Sequence, residues 1–257
     1  MMRDRADVLG AGEALVFSHG MMLDRRMFEP QVAALADRYR TVAFDHRSRT
    51  DEGGEPFSLY DLAEDCRMLL DELDIERCVL VGMSMGGFMA LRFAQKYPDR
   101  LRGLVVIGAS AQPYADVEQD MWELHFGAHR EAQRLAPDFA RAEAESHFAL
   151  RTRQYNPQLV DRWAERIAGR GGRETFNETL SWSRQDDIRP VLATITCPVL
   201  VVHGDEDDAV PLGYALDTYQ RLPNARLLVV PFAGHAANLD DPDMVNRAIE
   251  LFVDSLD

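Results

Sequence analysis

One serine in this chain stands where a hydroxyl can be turned into a nucleophile. Ser84 is the centre of Gly82-Met83-Ser84-Met85-Gly86, with Gly87 next. Glycine two residues before and two after the serine allows a turn so tight that side chains there would collide. A serine hydroxyl attacks carbonyl carbon poorly near neutral pH. It needs a base to take its proton and a carboxylate to hold that base in the useful tautomer. The C-terminal third supplies both types: Gly234-His235 follows one apolar run, and Asp205-Glu206-Asp207-Asp208 follows another that ends in His203-Gly204. On these grounds any of the four carboxylates could serve, the rest being solvated loop charges. The chemistry implied is acyl transfer. A Gly-x-Ser-x-Gly run also occurs as a plain packing turn, so the surrounding elements decide.

Those elements favour chemistry. Short apolar, β-branched runs at 14–18, 41–45, 78–82, 103–108, 198–203 and 226–231 alternate with segments of helical period at 28–38, 60–73, 86–97, 212–221 and 242–256. This is the rhythm of a mostly parallel sheet flanked by helices, an α/β fold. Ser84 falls between the strand ending at 82 and the helix starting at 86, and the two other candidates each follow a strand. Before residue 14 there is room for one short strand, around Ala6 to Leu9. Residues 112–188 lack strands and are read as a helical cap insertion, turning at Gly169-Arg170-Gly171-Gly172, in a core made of 1–111 and 189–257. All three tryptophans, Trp122, Trp163 and Trp182, lie in it. They can pin the insertion to the core or line a pocket; Met22, Trp122 and Trp182 are the candidate pocket residues.

The backbone N–H of Met85, at the start of the helix after Ser84, is a candidate half of an oxyanion hole. The Met21 N–H, after His19-Gly20 at the end of an earlier strand, is the other half. That role asks only for backbone, so His19 is read as structural. Met21, Met22, Met83 and Met85 cluster in these two motifs; flexible thioethers suit an adaptable apolar pocket or simple core packing. His46 and His203 follow strands without the strand-Gly-His context of His235. His125 and His129 are four apart, but Phe126 stands where a zinc-protease helix has glutamate and Gly127 weakens the helix. Neither metal nor cofactor is expected.

The bulk composition agrees. The net charge is −15, from 28 Lys plus Arg against 43 Asp plus Glu, with no dense basic run. Nucleic acid and anionic membranes are therefore not expected partners. Cys66, Cys78 and Cys197 form no Cys-x-x-Cys pair, which suits a reducing, cytoplasmic setting. The first residues lack an apolar signal core, and no run of about 18 apolar residues suggests a membrane span. A homo-oligomer stays open.

Taken together, the motifs resemble the α/β-hydrolase superfamily, in particular its small bacterial esterases, enol-lactonases and cofactor-free haloperoxidases. The resemblance rests on His19-Gly20-Met21, on Gly82 to Gly87, on Gly204-x-x-Asp207-x-x-x-Pro211, and on Gly234-His235. It implies an α/β-hydrolase fold and singles out Asp207 as the acid beside Ser84 and His235. It implies cleavage of a small ester or lactone through an acyl-enzyme. The same residues serve perhydrolases, where peroxide replaces water, and some members with this triad are ligand receptors. Three departures stand out. Asp45-His-Arg47-Ser-Arg-Thr50 replaces the usual Asp-x-Arg-Gly-x-Gly-x-Ser, no tryptophan follows His235, and an edge strand is expected to be missing.

Overall fold

The computed structural model describes residues 2–256. Seven strands form one sheet in the order β1-β3-β2-β4-β5-β6-β7. They are β1 (Ala6–Leu9), β2 (Ala14–Ser18), β3 (Arg40–Phe44), β4 (Cys78–Met83), β5 (Leu101–Ile107), β6 (Val199–Gly204) and β7 (Ala225–Val230). β1 runs antiparallel to β3 and all other pairs are parallel. Among the described residues a single short strand precedes β2, and no further edge strand pairs beyond β1, as expected. β2, β4 and β6 are buried along their whole length, which is why they read as unbroken apolar runs rather than alternating ones. β7 lies at the sheet's other edge and is half-exposed.

The flanking helices are α1 (Glu29–Leu35), α2 (Leu59–Glu72), α3 (Met85–Lys96), α9 (Leu212–Arg221), α10 (Ala237–Asp240) and α11 (Pro242–Val253). α2 starts where Ser58 and Asp61 close a capping box. The helix expected over 28–38 is shorter at both ends: Phe28 closes the 3-10 turn Arg25–Phe28, and after Leu35 the chain turns, the Arg38 N–H donating to the Leu35 carbonyl at 3.1 Å. α11 stops at Val253 rather than 256, and α10 carries too few residues to show a helical period. Two further 3-10 turns fold the 47–54 segment.

Between β5 and β6 the chain forms α4 (Asp116–Gly127), α5 (Pro137–His147), α6 (Leu150–Tyr155), α7 (Pro157–Ala168) and α8 (Gly172–Ser183). α5 packs on α7 and α4 on α8. Gly172 is required where it stands, since a β-carbon would lie 1.8 Å from the His129 carbonyl oxygen. Cys66 and Cys78 are buried and Cys197 is partly buried, all unpaired. No helix among the described residues is long and apolar enough to cross a membrane.

Candidate active site

Four strand ends place the site. β4 passes into α3 through Ser84, whose backbone is held at φ 51° and ψ −119°. A non-glycine residue in that region carries about 1–3 kcal/mol of strain. The Ser84 N–H donates to the Ile107 carbonyl at 2.8 Å, and the Ser84 carbonyl accepts from the Phe88 N–H at 2.8 Å. A β-carbon on Gly82 would lie 2.3 Å from the Gly86 carbonyl oxygen, and one on Gly86 would lie 2.2 Å from the Ser18 carbonyl oxygen. Only glycine lets the chain turn there, and the turn lifts the hydroxyl clear of the sheet.

The Ser84 hydroxyl lies 2.8 Å from His235 Nε2, and His235 Nδ1–H donates to Asp207 Oδ2 at 2.9 Å. Asp207 Oδ1 accepts from the N–H groups of Ala209 and Val210 at 3.0 and 2.9 Å. Burial would raise this carboxyl's pKa, but His235, His203 and the Val210 amide outweigh burial and hold it below the usual carboxylate range. Asp205, Glu206 and Asp208 are exposed, so of the four acids only Asp207 reaches the imidazole. His203 supports the same loop: its Nε2–H donates to the Val210 carbonyl at 2.8 Å. Gly108, after β5, has φ 56°, and a β-carbon there would meet the His235 carbonyl oxygen at 2.9 Å and Nδ1 at 3.2 Å.

The loop after β2 approaches from the other side. His19 Nδ1–H donates to the Gly20 carbonyl at 2.7 Å, and its Nε2 accepts from the His46 N–H at 3.1 Å. Burial, then the neighbouring His46, pushes the His19 pKa well below its ordinary value, so the ring is neutral. Because a trans peptide's N–H points opposite to its C=O, fixing the Gly20 carbonyl also fixes the direction of the Met21 N–H. Among the described residues neither the Met21 nor the Met85 amide has an intramolecular acceptor. The next residue, Met22, is held at φ 57°, and its N–H donates to Glu178 Oε2 of α8 at 2.9 Å. Ser48 donates to Glu178 Oε1 at 2.5 Å and Arg170 lies 3.0 Å from Oε2. The Gly169 to Gly172 turn is thus also the seat of a buried counter-charge.

A cavity of about 60 Å³ opens beside Ser84 and His235. Met22, Trp122 and Trp182 all line it, as does the side chain of Met21. The four methionines divide: Met83 and Met85 are fully buried and absent from the wall, so they pack in the core. Trp163 is also buried away from the cavity, under the Arg166 guanidinium. Residues that sequence reasoning did not find are Tyr114, Glu143 and His147. They carry no motif, and only the packing of α5 turns the last two inward. α4 ends at Gly127, so His129 lies beyond it and the two histidines do not share a helix face; both rings meet Phe139 at a tilt, and His125 also engages Glu143.

Residues 13–242 match the family described as the alpha/beta hydrolase fold. The 3-oxoadipate enol-lactonase 2 of Acinetobacter baylyi is 28% identical, over 92% of this chain and 87% of that protein. The 2-(acetamidomethylene)succinate hydrolase of Mesorhizobium japonicum is 29% identical, over 96% and 90%. Among solved structures, a thermophilic esterase from Thermogutta terrifontis superposes with a TM-score of 0.89 at 25% identity, over 98% of this chain and 93% of that one.

Proposed function

Since this chain belongs to the alpha/beta hydrolase fold family, we propose that it is a serine hydrolase that cleaves small carboxylic esters or lactones, with Ser84 as nucleophile, His235 as base and Asp207 as the orienting acid. The observation that carries this reading is one imidazole bridging a serine hydroxyl at 2.8 Å and a buried carboxylate at 2.9 Å. The Ser84 Oγ–H bond breaks towards His235 Nε2 as Oγ bonds to the carbonyl carbon. The carbonyl oxygen, now an anion, takes the free N–H groups of Met21 and Met85. Collapse expels the alcohol, which receives the proton from His235, and leaves the acyl group on Ser84. Water repeats the sequence and releases the acid. Asp207 keeps Nδ1 protonated so that Nε2 faces the serine, and the two amides act where charge appears.

In this reading residues 112–188 cap a core made of 1–111 and 189–257, and the cap's side chains select the substrate. A fluorophosphonate probe should label Ser84 and nothing else, as read by peptide mapping. Ser84→Ala should hydrolyse p-nitrophenyl acetate at least about a thousandfold more slowly. A Ser84→Ala protein with parental turnover rejects the assignment.

A further inference from the structure

The cavity beside Ser84 is electrically one-sided. Among the described residues no Arg or Lys lines it. Its one carboxylate is Glu143, on α5, whose side chain is only 11% exposed. Glu143 Oε1 lies 2.6 Å from Nε2 of the half-exposed His125, and Oε2 has no protein donor among the described residues. Burial raises the Glu143 pKa and the His125 hydrogen bond opposes that rise. His147, the other polar ring in the wall besides His235, supplies no positive charge: burial, then the neighbouring His235, takes its pKa down to about 4.

The remaining wall is aromatic. Tyr114 and Trp182 meet edge to face with ring centres 5.4 Å apart, and Trp122 meets Trp182 at 5.5 Å and 68°. All three rings line the space that Glu143 lines, and Trp122 also stacks on Phe126 with ring centres 6.2 Å apart. Electron-rich faces beside a single carboxylate are the surroundings that stabilise a poorly hydrated cation, while a carboxylate placed there would be desolvated and repelled.

We infer that Glu143 and the Tyr114, Trp122 and Trp182 rings make this a site for esters whose non-reacting end carries a positive charge, and against esters that carry a carboxylate. This rests on the hydrolase reading above and narrows it. An incoming ammonium would restore to Glu143 some of the stabilisation that burial removes.

The test compares esters of equal shape. Acetylcholine is set against 3,3-dimethylbutyl acetate, and ethyl 4-(trimethylammonio)butanoate against ethyl 5,5-dimethylhexanoate, so that the charge is on the alcohol side in one pair and the acyl side in the other. Monoethyl glutarate supplies the anion. In at least one pair kcat/KM should favour the cation by about tenfold or more, with monoethyl glutarate slowest, and in Glu143→Gln that ratio should fall to within about threefold. Equal rates within both pairs, or a cation preference unchanged in Glu143→Gln, overturn the inference while leaving Ser84 chemistry standing. Absence of any ester turnover, with no fluorophosphonate labelling, is instead a failure of the hydrolase reading. Tryptophan fluorescence titration with choline and with 3,3-dimethylbutan-1-ol then decides the charge preference without catalysis: tighter choline binding supports it, and equal binding refutes it.

Discussion

Glu178 Oε2, on α8, accepts the backbone N–H of Met22 at 2.9 Å, across 156 residues of chain. The same carboxylate takes the Ser48 hydroxyl and faces Arg170. One buried side chain thereby joins three segments: the loop beside the proposed oxyanion amide, the 47–54 turns and the helices above the site. Removing one member of a buried charge pair typically costs about 3–5 kcal/mol, because the partner is left buried and unpaired.

Glu178→Ala should therefore lower stability by about 3 kcal/mol or more and reduce kcat more than it raises KM. Urea unfolding and steady-state kinetics on a p-nitrophenyl ester check both parts. A variant with parental midpoint and kcat would show that the bond to Met22 holds nothing in place.

Asp207→Asn keeps the shape of the side chain but no longer fixes the tautomer of His235, so kcat should drop by about three to four orders of magnitude. Asp205→Asn and Asp208→Asn, whose side chains face solvent, should change it less than about threefold. Rate measurements on the three purified variants separate the buried acid from its exposed neighbours.

Gly108→Ala combines a positive φ with a β-carbon pressed against the His235 carbonyl and Nδ1. It should destabilise the fold by about 1–3 kcal/mol and lower kcat at least about tenfold by displacing the ring. Thermal unfolding and kinetics test this; an unchanged kcat would mean that the imidazole tolerates the shift.

Acid should destabilise the protein through buried neutral rings. Burial lowers the pKa of His46 to about 3 and that of His147 to about 4, and drives His19 well below its ordinary value. Between those values and about 6.5 the unfolded chain binds protons that the folded chain refuses. Stability held by these rings is complete above about pH 6.5 and drains as pH falls towards 4 and then 3. The Tm should drop by about 5 °C or more between pH 7 and pH 5; a flat Tm over that range contradicts it.

The parts of this protein written in local pattern were legible in its sequence. The buried strands read as apolar runs, and Ser84 and His235 each follow one. Asp207 needed the family resemblance, because four adjacent acids have equal local claims until burial separates them. Gly108, Glu178, Glu143 and His147 were not legible. Each matters only through what lies across space: a β5 terminus meeting the ends of β6 and β7, or helices whose rotation is set by mutual packing. The helix expected at 28–38 was overstated because residues 36–38 leave α1 as turns, which local apolar spacing does not distinguish from one more helical turn.

The concealment of the native thiols has a practical side. Burial lifts Cys78 to about 12 and Cys197 to about 11, and raises Cys66 as well, so at neutral pH almost no thiolate exists to react. A cysteine placed at Leu124, which is 78% exposed on α4, would be the one sulfur that takes a maleimide dye. A reporter could then ride on the helix that carries Trp122 and be read during turnover, without first stripping the chain of its own cysteines.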